Sequence, residues 1–142
     1  MSHVPNPSTA PPDLISYGAR FQTSWPQSAT AVVAAAGELD AANGAEFVDY
    51  ALSQPDTTER LILDFSGLTF FATAAFSALH TLNVRCVRAQ IRWAMVSSPA
   101  VDRLLRICDP DAALPIASDL DAALVAVHDE PPRLLQLVPE PR

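Results

Sequence analysis

The sequence predicts an α/β fold: a mixed, mostly parallel central sheet of about five strands, with about four helices mainly on one face. Three observations carry this. Leu61-Ile62-Leu63 is an apolar run without alternation, as in a strand buried on both faces. From that run onward, strand-like and helix-like stretches alternate, which implies parallel crossovers. Two earlier strand-like stretches are joined only by Pro26-Gln27-Ser28, which implies an antiparallel hairpin.

The elements follow in order. Residues 1–13 form a polar, Pro-rich leader with no periodicity, expected to be flexible. In Leu14–Trp25, Tyr17, Ala19, Phe21 and Thr23 fall two apart, as one face of a half-buried strand does. Thr30–Ala36 is the second strand, supported chiefly by Val32 and Val33. Gly37 punctuates its end. Asp40 is the expected N-cap of a helix over Ala41–Ser53, with Phe47, Val48, Ala51 and Leu52 as its apolar stripe. Asn43 and Gly44 weaken the first turn of that helix.

Arg60–Asp64 is the central strand, and Asp64, Ser66 and Gly67 break it into a turn. Ala74–Ala89 is a long helix with Phe76, Leu79, Leu82 and Cys86 on one face. Ile91–Val96 is a strand in which Arg92 marks the wetter side. Ser98-Pro99 is the clearest helix start in the chain. Ser98 is a natural N-cap, and Pro99 sits where a missing N–H costs nothing. That helix should bury Val101, Leu104 and Leu105 and end near Ile107. Leu114-Pro115-Ile116 reads as an edge strand because it contains proline. Ser118 or Asp119 caps a last helix, Leu120–His128, with Leu120, Leu124 and Val127 as its stripe. The folded unit is thus 14–128, and 129–142 is a Pro-rich tail. Its apolar run Leu134-Leu135-Gln136-Leu137-Val138 is expected to dock on the domain.

Charge and composition exclude several classes. Net charge is −7, and nothing suggests the clustered cations that a nucleic-acid backbone requires. Arg85, Arg88 and Arg92 are the only local basic group, read as a solvated helix flank, with an acidic partner as the alternative. No apolar run approaches the ~20 residues of a membrane span, and no signal-peptide pattern opens the chain, so a soluble cytoplasmic protein is expected. His3, His80 and His128 stand far apart, and none pairs with a Cys or carboxylate at metal-ligand spacing. Gly18, Gly37, Gly44 and Gly67 form neither a dinucleotide fingerprint nor a P-loop. No catalytic constellation is found, so no enzyme, metal or cofactor is expected. Cys86 and Cys108 are read as small core residues or, alternatively, as a reversible disulfide.

Four features together resemble the STAS domain family, in its stand-alone anti-sigma-factor-antagonist form. Gly37-Glu38-Leu39-Asp40 is similar to the family's Gly-x-Leu/Ile-Asp after the second strand. Leu61–Phe70 resembles its central strand and turn. Ser98-Pro99-Ala100-Val101-Asp102-Arg103-Leu104-Leu105 resembles its Ser-Pro-x-Val-x-x-Leu helix start. The order of elements agrees, and the resemblance spans about Tyr17–His128.

The resemblance implies partner switching. Such antagonists bind an anti-sigma factor of the kinase-like ATPase class and free a sigma factor for transcription. The kinase phosphorylates a Ser or Thr at the start of the helix after the central strand, and this breaks the complex. By resemblance, the interface comprises Gly37, Glu38, Leu39, Asp40, Thr69, Phe70, Phe71, Ala72, Ala74, Ala75 and Phe76, with Thr73 as phosphoacceptor. The family's turn reads Asp-Ser-Ser-Gly; here it is Ala72-Thr73-Ala74-Ala75, so only a hydroxyl at the acceptor position is kept. The alternative for Thr73 is a helix N-cap without regulatory role. One of Phe70 and Phe71 is expected in the core, and the other, if exposed, is an apolar anchor. The resemblance also admits two other roles. One is sensing a small nucleotide or lipid-like ligand through a pocket beside the two loops. The other is service as an accessory subunit of a membrane transport system.

Overall fold

The computed structural model describes residues 12–129. The leader up to residue 11 and the tail from residue 130, with the docking expected of Leu134–Val138, lie outside the described residues. The elements are β1 (Leu14–Ser16), β2 (Ala19–Gln27), β3 (Thr30–Leu39), α1 (Gly44–Ala51), β4 (Arg60–Phe71), α2 (Thr73–Ala89), β5 (Arg92–Val96), α3 (Pro99–Cys108), β6 (Ile116–Ala117) and α4 (Leu120–Asp129). The six strands lie side by side in sequence order. β1–β2 and β2–β3 are antiparallel. β3–β4, β4–β5 and β5–β6 are parallel.

The sixth strand arises from a split. Leu14–Trp25 is two strands, because Tyr17 adopts φ 55° and turns the chain at Tyr17-Gly18. Tyr17 therefore leaves the strand face and is 78% exposed, whereas Ala19 and Phe21 do point inward.

The helices follow from the strand order. Each parallel crossover steps the same way across the sheet, and right-handed crossovers then fall on one face. Phe47 and Ala51 of α1, Leu79, Leu82 and Cys86 of α2, and Val101 and Leu105 of α3 share one core with Phe21, Val33, Leu61, Leu63, Phe65, Trp93 and Met95 of the sheet. A line of rings crosses it: Phe21–Phe47 at 5.1 Å, Phe47–Phe65 at 5.3 Å and Phe65–Phe71 at 5.7 Å between centroids.

β6 is the last strand among the described residues, and α4, which follows it, covers the opposite face. There Ala123 and Val127 pack on Val32, Ile62, Ala94 and Val96. This second layer is why Leu61-Ile62-Leu63 is apolar throughout: Ile62 faces α4 while its neighbours face the main core. The α4 stripe is rotated from expectation, since Leu120 is exposed and Ala123 takes its place. Arg92 donates from Nη1 to the carbonyls of Val127 (3.4 Å) and His128 (3.1 Å), placing a cation at the C-terminal end of α4. α3 begins as expected: Ser98 Oγ accepts from the Val101 N–H at 3.3 Å, and Pro99 is its first residue.

Candidate functional site at the C-terminal edge of the parallel strands

Parallel pairing of β3 with β4 brings two distant stretches together, aligning Gly37 with Leu68, Glu38 with Phe70 and Leu39 with Phe71. The loop over Gly37–Asp40 and the turn over Thr69–Phe76 thus meet at the C-terminal edge of the strands, where open α/β sheets commonly bind.

β4 reaches this edge in an unusual way. The expected strand ends at Asp64, but the real one continues to Phe71 through two bulges, where the register slips by one residue against β3. Asp64 Oδ1 accepts from the N–H and the hydroxyl of Ser66 (3.0 and 2.7 Å), which kinks the strand without ending it. Each bulge adds a residue, so the inward positions change from every second to every third: Phe65, Leu68 and Phe71 are all buried. Ser66, Thr69 and Phe70 consequently face out.

Gly37 has φ +98°, and a Cβ there would lie 2.3 Å from the Gly18 carbonyl oxygen. Only glycine fits this close approach of β3 to the first hairpin. Thr69 Oγ1 donates to the Gly37 carbonyl at 3.1 Å, tying the two stretches together. Asp40 does not cap a helix at residue 41. Its carboxylate accepts from the Ala42 N–H at 2.9 Å in a local turn, and α1 starts only at Gly44. The residue that organises the loop is Asn43, 1% exposed. Its Nδ2 donates to the carbonyls of Ser16 and Glu38 (both 3.0 Å), and its Oδ1 accepts from the Asp40 N–H at 2.9 Å. Sequence reasoning read Asn43 only as a weak helix former. The available signal was an Asn three residues after an Asp, just before a short apolar stripe.

α2 begins at Thr73, and its N-cap is Ala72, which offers no side-chain cap. Thr73 is therefore not the cap; it is the first helical residue, exposed, and none of the hydrogen bonds among the described residues uses its hydroxyl. The Ala72 N–H donates to the Leu39 carbonyl at 2.9 Å, so the helix start is pinned to the end of β3. Unpaired N–H groups at this uncapped end make a field that favours negative charge. Beside it Phe70 is 49% exposed while Phe71 is 4% exposed, which resolves the pair into one surface ring and one core ring.

The eleven residues singled out around Thr73 separate by depth. Glu38, Thr69, Phe70 and Ala74 form the outer surface with Thr73, and Gly37, Asp40 and Ala72 are half-buried. Leu39, Phe71, Ala75 and Phe76 are buried and shape that surface from beneath. The small residue at Ala75 has a packing reason: its Cα lies 3.4 Å from where a Cβ on Gly44 would sit, at the crossing of α1 and α2.

Other candidates lie elsewhere. Cys86 and Cys108 are free thiols; Cys86 is fully buried, and burial pushes its pKa up to about 12, which leaves almost no thiolate to react. Arg85 pairs with Asp49 at 3.5 Å and Arg92 is engaged with α4, so the three arginines do not act as one patch. Among the described residues, no His, Cys, Asp and Glu group is arranged to hold a metal ion. None of the described helices is long and apolar enough to cross a membrane. A cleft of about 240 Å³ lies far from the two loops, beneath the C-terminal end of α2.

Comparison with known proteins gives a consistent picture. The STAS domain model matches residues 26–123, more than half of the chain. The chain is 32% identical over 128 residues to osmosensory protein A of Mycobacterium tuberculosis, covering 87% of this chain and 81% of that protein. Its structure is similar to that of an anti-sigma factor antagonist from Mycobacterium paratuberculosis, with TM-score 0.63 and 20% identity over 78% of this chain and 95% of the other. A Thermotoga maritima protein assigned to the anti-sigma factor antagonists gives TM-score 0.64 and 14% identity over 76% and 94%. At those identities the two structures speak for the fold alone. The family model spans the hairpin turn, the parallel strands and the helices between them, and the chain belongs to the STAS domain family.

Proposed function

We propose that this chain is a non-enzymatic regulatory module, an anti-sigma-factor antagonist that switches between partners. Its partner is an anti-sigma factor of the kinase-like ATPase class, which docks on the edge made by Gly37–Asp40, Thr69–Ala74 and the exposed side of α2. The observation that carries the reading is Thr73: an exposed hydroxyl without a hydrogen-bond partner among the described residues, on the first residue of an uncapped helix, beside a half-exposed phenylalanine. The structural likeness to anti-sigma factor antagonists supports the same reading at the level of fold.

Phosphorylation is the proposed switch. A phosphoryl group brings about −1.5 to −2 charges. At the start of α2 the free N–H groups stabilise it within this protein. A partner packed against Phe70 and Ala74 must instead bury that charge, which costs several kcal/mol unless it is paired. Phosphorylation therefore favours the free protein. The three alanines that replace the family's Asp, second Ser and Gly leave the hydroxyl and the backbone donors as the retained machinery.

A titration of the host's kinase-like anti-sigma factors with wild type, Thr73→Ala and Thr73→Glu tests this. Tight binding by the first two and at least about tenfold weaker binding by Glu is expected. Equal binding by all three removes Thr73 as the switch. No binding to any candidate overturns the antagonist reading.

A further inference from the structure

The face of the sheet opposite α1–α3 is only partly covered. Its six strands, about 4.8 Å apart, span roughly 24 Å, and a helix is about 10 Å across. α4 seals Val32, Ile62, Ala94 and Val96. Towards the C-terminal edge of the parallel strands the same face is open. Ile15, Arg20, Ala36 and Gly67 stand in register across β1 to β4, and all four are exposed.

Parallel strands are normally covered on both faces, yet β3 and β4 pair in parallel at Ala36 and Gly67 and leave both residues exposed. The side chains around this opening are mostly apolar or small. Ile15 is 73% exposed. It lies between Leu14, which packs on the main core, and Ser16, which bonds to Glu46 of α1, so strand alternation turns it away from that core. Phe70 turns away likewise, because Phe71 is in the core. Gly67 keeps the floor low: a Cβ there would lie 3.1 Å from the Ala36 Cβ. Arg20 and the half-buried Asp64 are the charged groups in this opening, and neither forms an ion pair among the described residues.

We propose that Leu134-Leu135-Gln136-Leu137-Val138 of the tail docks on this open face and shields Phe70. The course of the chain brings the run there. α4 ends at Asp129, where Arg92 holds the carbonyls of Val127 and His128, and Arg92 stands in the row Thr30–Arg60–Arg92. Pro131-Pro132 cannot continue the helix and favours extended chain. At roughly 3.3 Å per residue, a chain running up the sheet from that row brings Arg133 level with Asp64. Leu134–Val138 then falls level with Ala36, Gly67 and Phe70. An apolar run meets apolar surface, and a cation meets a carboxylate. The shielding of Phe70 rests on the partner-docking reading; the docking of the tail does not.

NMR spectra of the full chain test this. Nuclear Overhauser contacts are expected between methyl groups of Leu134–Val138 and those of Ile15 or Ala36, and they should persist on dilution. A triple variant with Leu134→Asp, Leu135→Asp and Leu137→Asp leaves every core residue in place. It should lose those contacts and shift the amides of Arg20, Ala36, Gly67 and Phe70, while the amides of α1 and α3 stay where they were. It should also bind the proposed anti-sigma factor at least about threefold more tightly than wild type, because more of the chain is competent to bind. Absence of the contacts overturns the docking, as does a triple variant in which those four amides do not move. Contacts that vanish on dilution assign the run to a second copy and overturn it too. Equal affinity with the contacts present overturns the shielding alone. No binding by either form overturns the partner edge, and the shielding with it, while the contacts still decide the docking.

Discussion

Phe70 and Phe71 are chain neighbours with opposite roles. Phe71 closes the line of core rings, whereas Phe70 presents half its ring to solvent beside Thr73. An exposed aromatic next to small residues is the usual form of an interface anchor. Phe70→Ala is expected to weaken binding to the proposed anti-sigma factor by roughly 30-fold, about 2 kcal/mol, while changing unfolding stability by no more than about 1 kcal/mol. Calorimetric titration beside urea denaturation separates the two effects. The division of labour between the two rings was legible in the sequence, but which ring faces out was not. That depends on the phase of β4, and the two bulges set the phase. Thr73 does stand at the start of the helix, but the alternative reading of it as the N-cap fails: the helix begins one residue earlier than Ala74, and Ala72 occupies the cap.

At the scale of elements, the clearest sequence signals were those with a local cause. Ser98-Pro99 started α3 as expected, because cap and fixed φ act within one turn. β4 was harder to read. The apolar run stops at Asp64, and a strand whose inward residues recur every third position has no periodic signature. Asn43 was missed for a similar reason. Its value lies in joining the carbonyls of Ser16 in β1 and Glu38 in β3 to the approach of α1, and those partners are brought together only by the fold. Asn43→Ala should cost about 2–4 kcal/mol in urea denaturation, since it strips partners from two carbonyls and an N–H. Asn43→Asp should cost no less, because a carboxylate cannot donate to the two carbonyls. A loss under about 0.5 kcal/mol for both would show that the loop does not depend on this residue.

At the scale of the whole molecule, one sheet carries two apolar layers, with three helices on one face and α4 on the other. Helices mainly on one face are what the sequence predicts, and the rotated α4 stripe escaped it because Ala123 is too small to stand out as apolar. The depth of the main core has a consequence at high pH. Burial raises the Cys86 thiol from 9.0 to about 12. Burial also raises Tyr50, against the opposing hydrogen bond from Thr23. Above pH 9 the unfolded chain releases the thiol proton while the folded chain keeps it. Stability from this group is therefore complete below pH 9.0 and is lost towards about 12, at about 1.4 kcal/mol per pH unit. Denaturation midpoints at about pH 8 and about pH 10.5 should diverge for wild type and converge in part for Cys86→Ala.

The central claim is that the partner sits on the edge where β3 and β4 end and α2 begins. Hydrogen exchange of this chain, free and bound to the proposed kinase-like anti-sigma factor, tests it most directly. The account predicts new protection at Gly37–Asp40 and Thr69–Ser77, and none on α4. Protection confined to α4 or α3, with those two stretches exchanging as in the free protein, would contradict it.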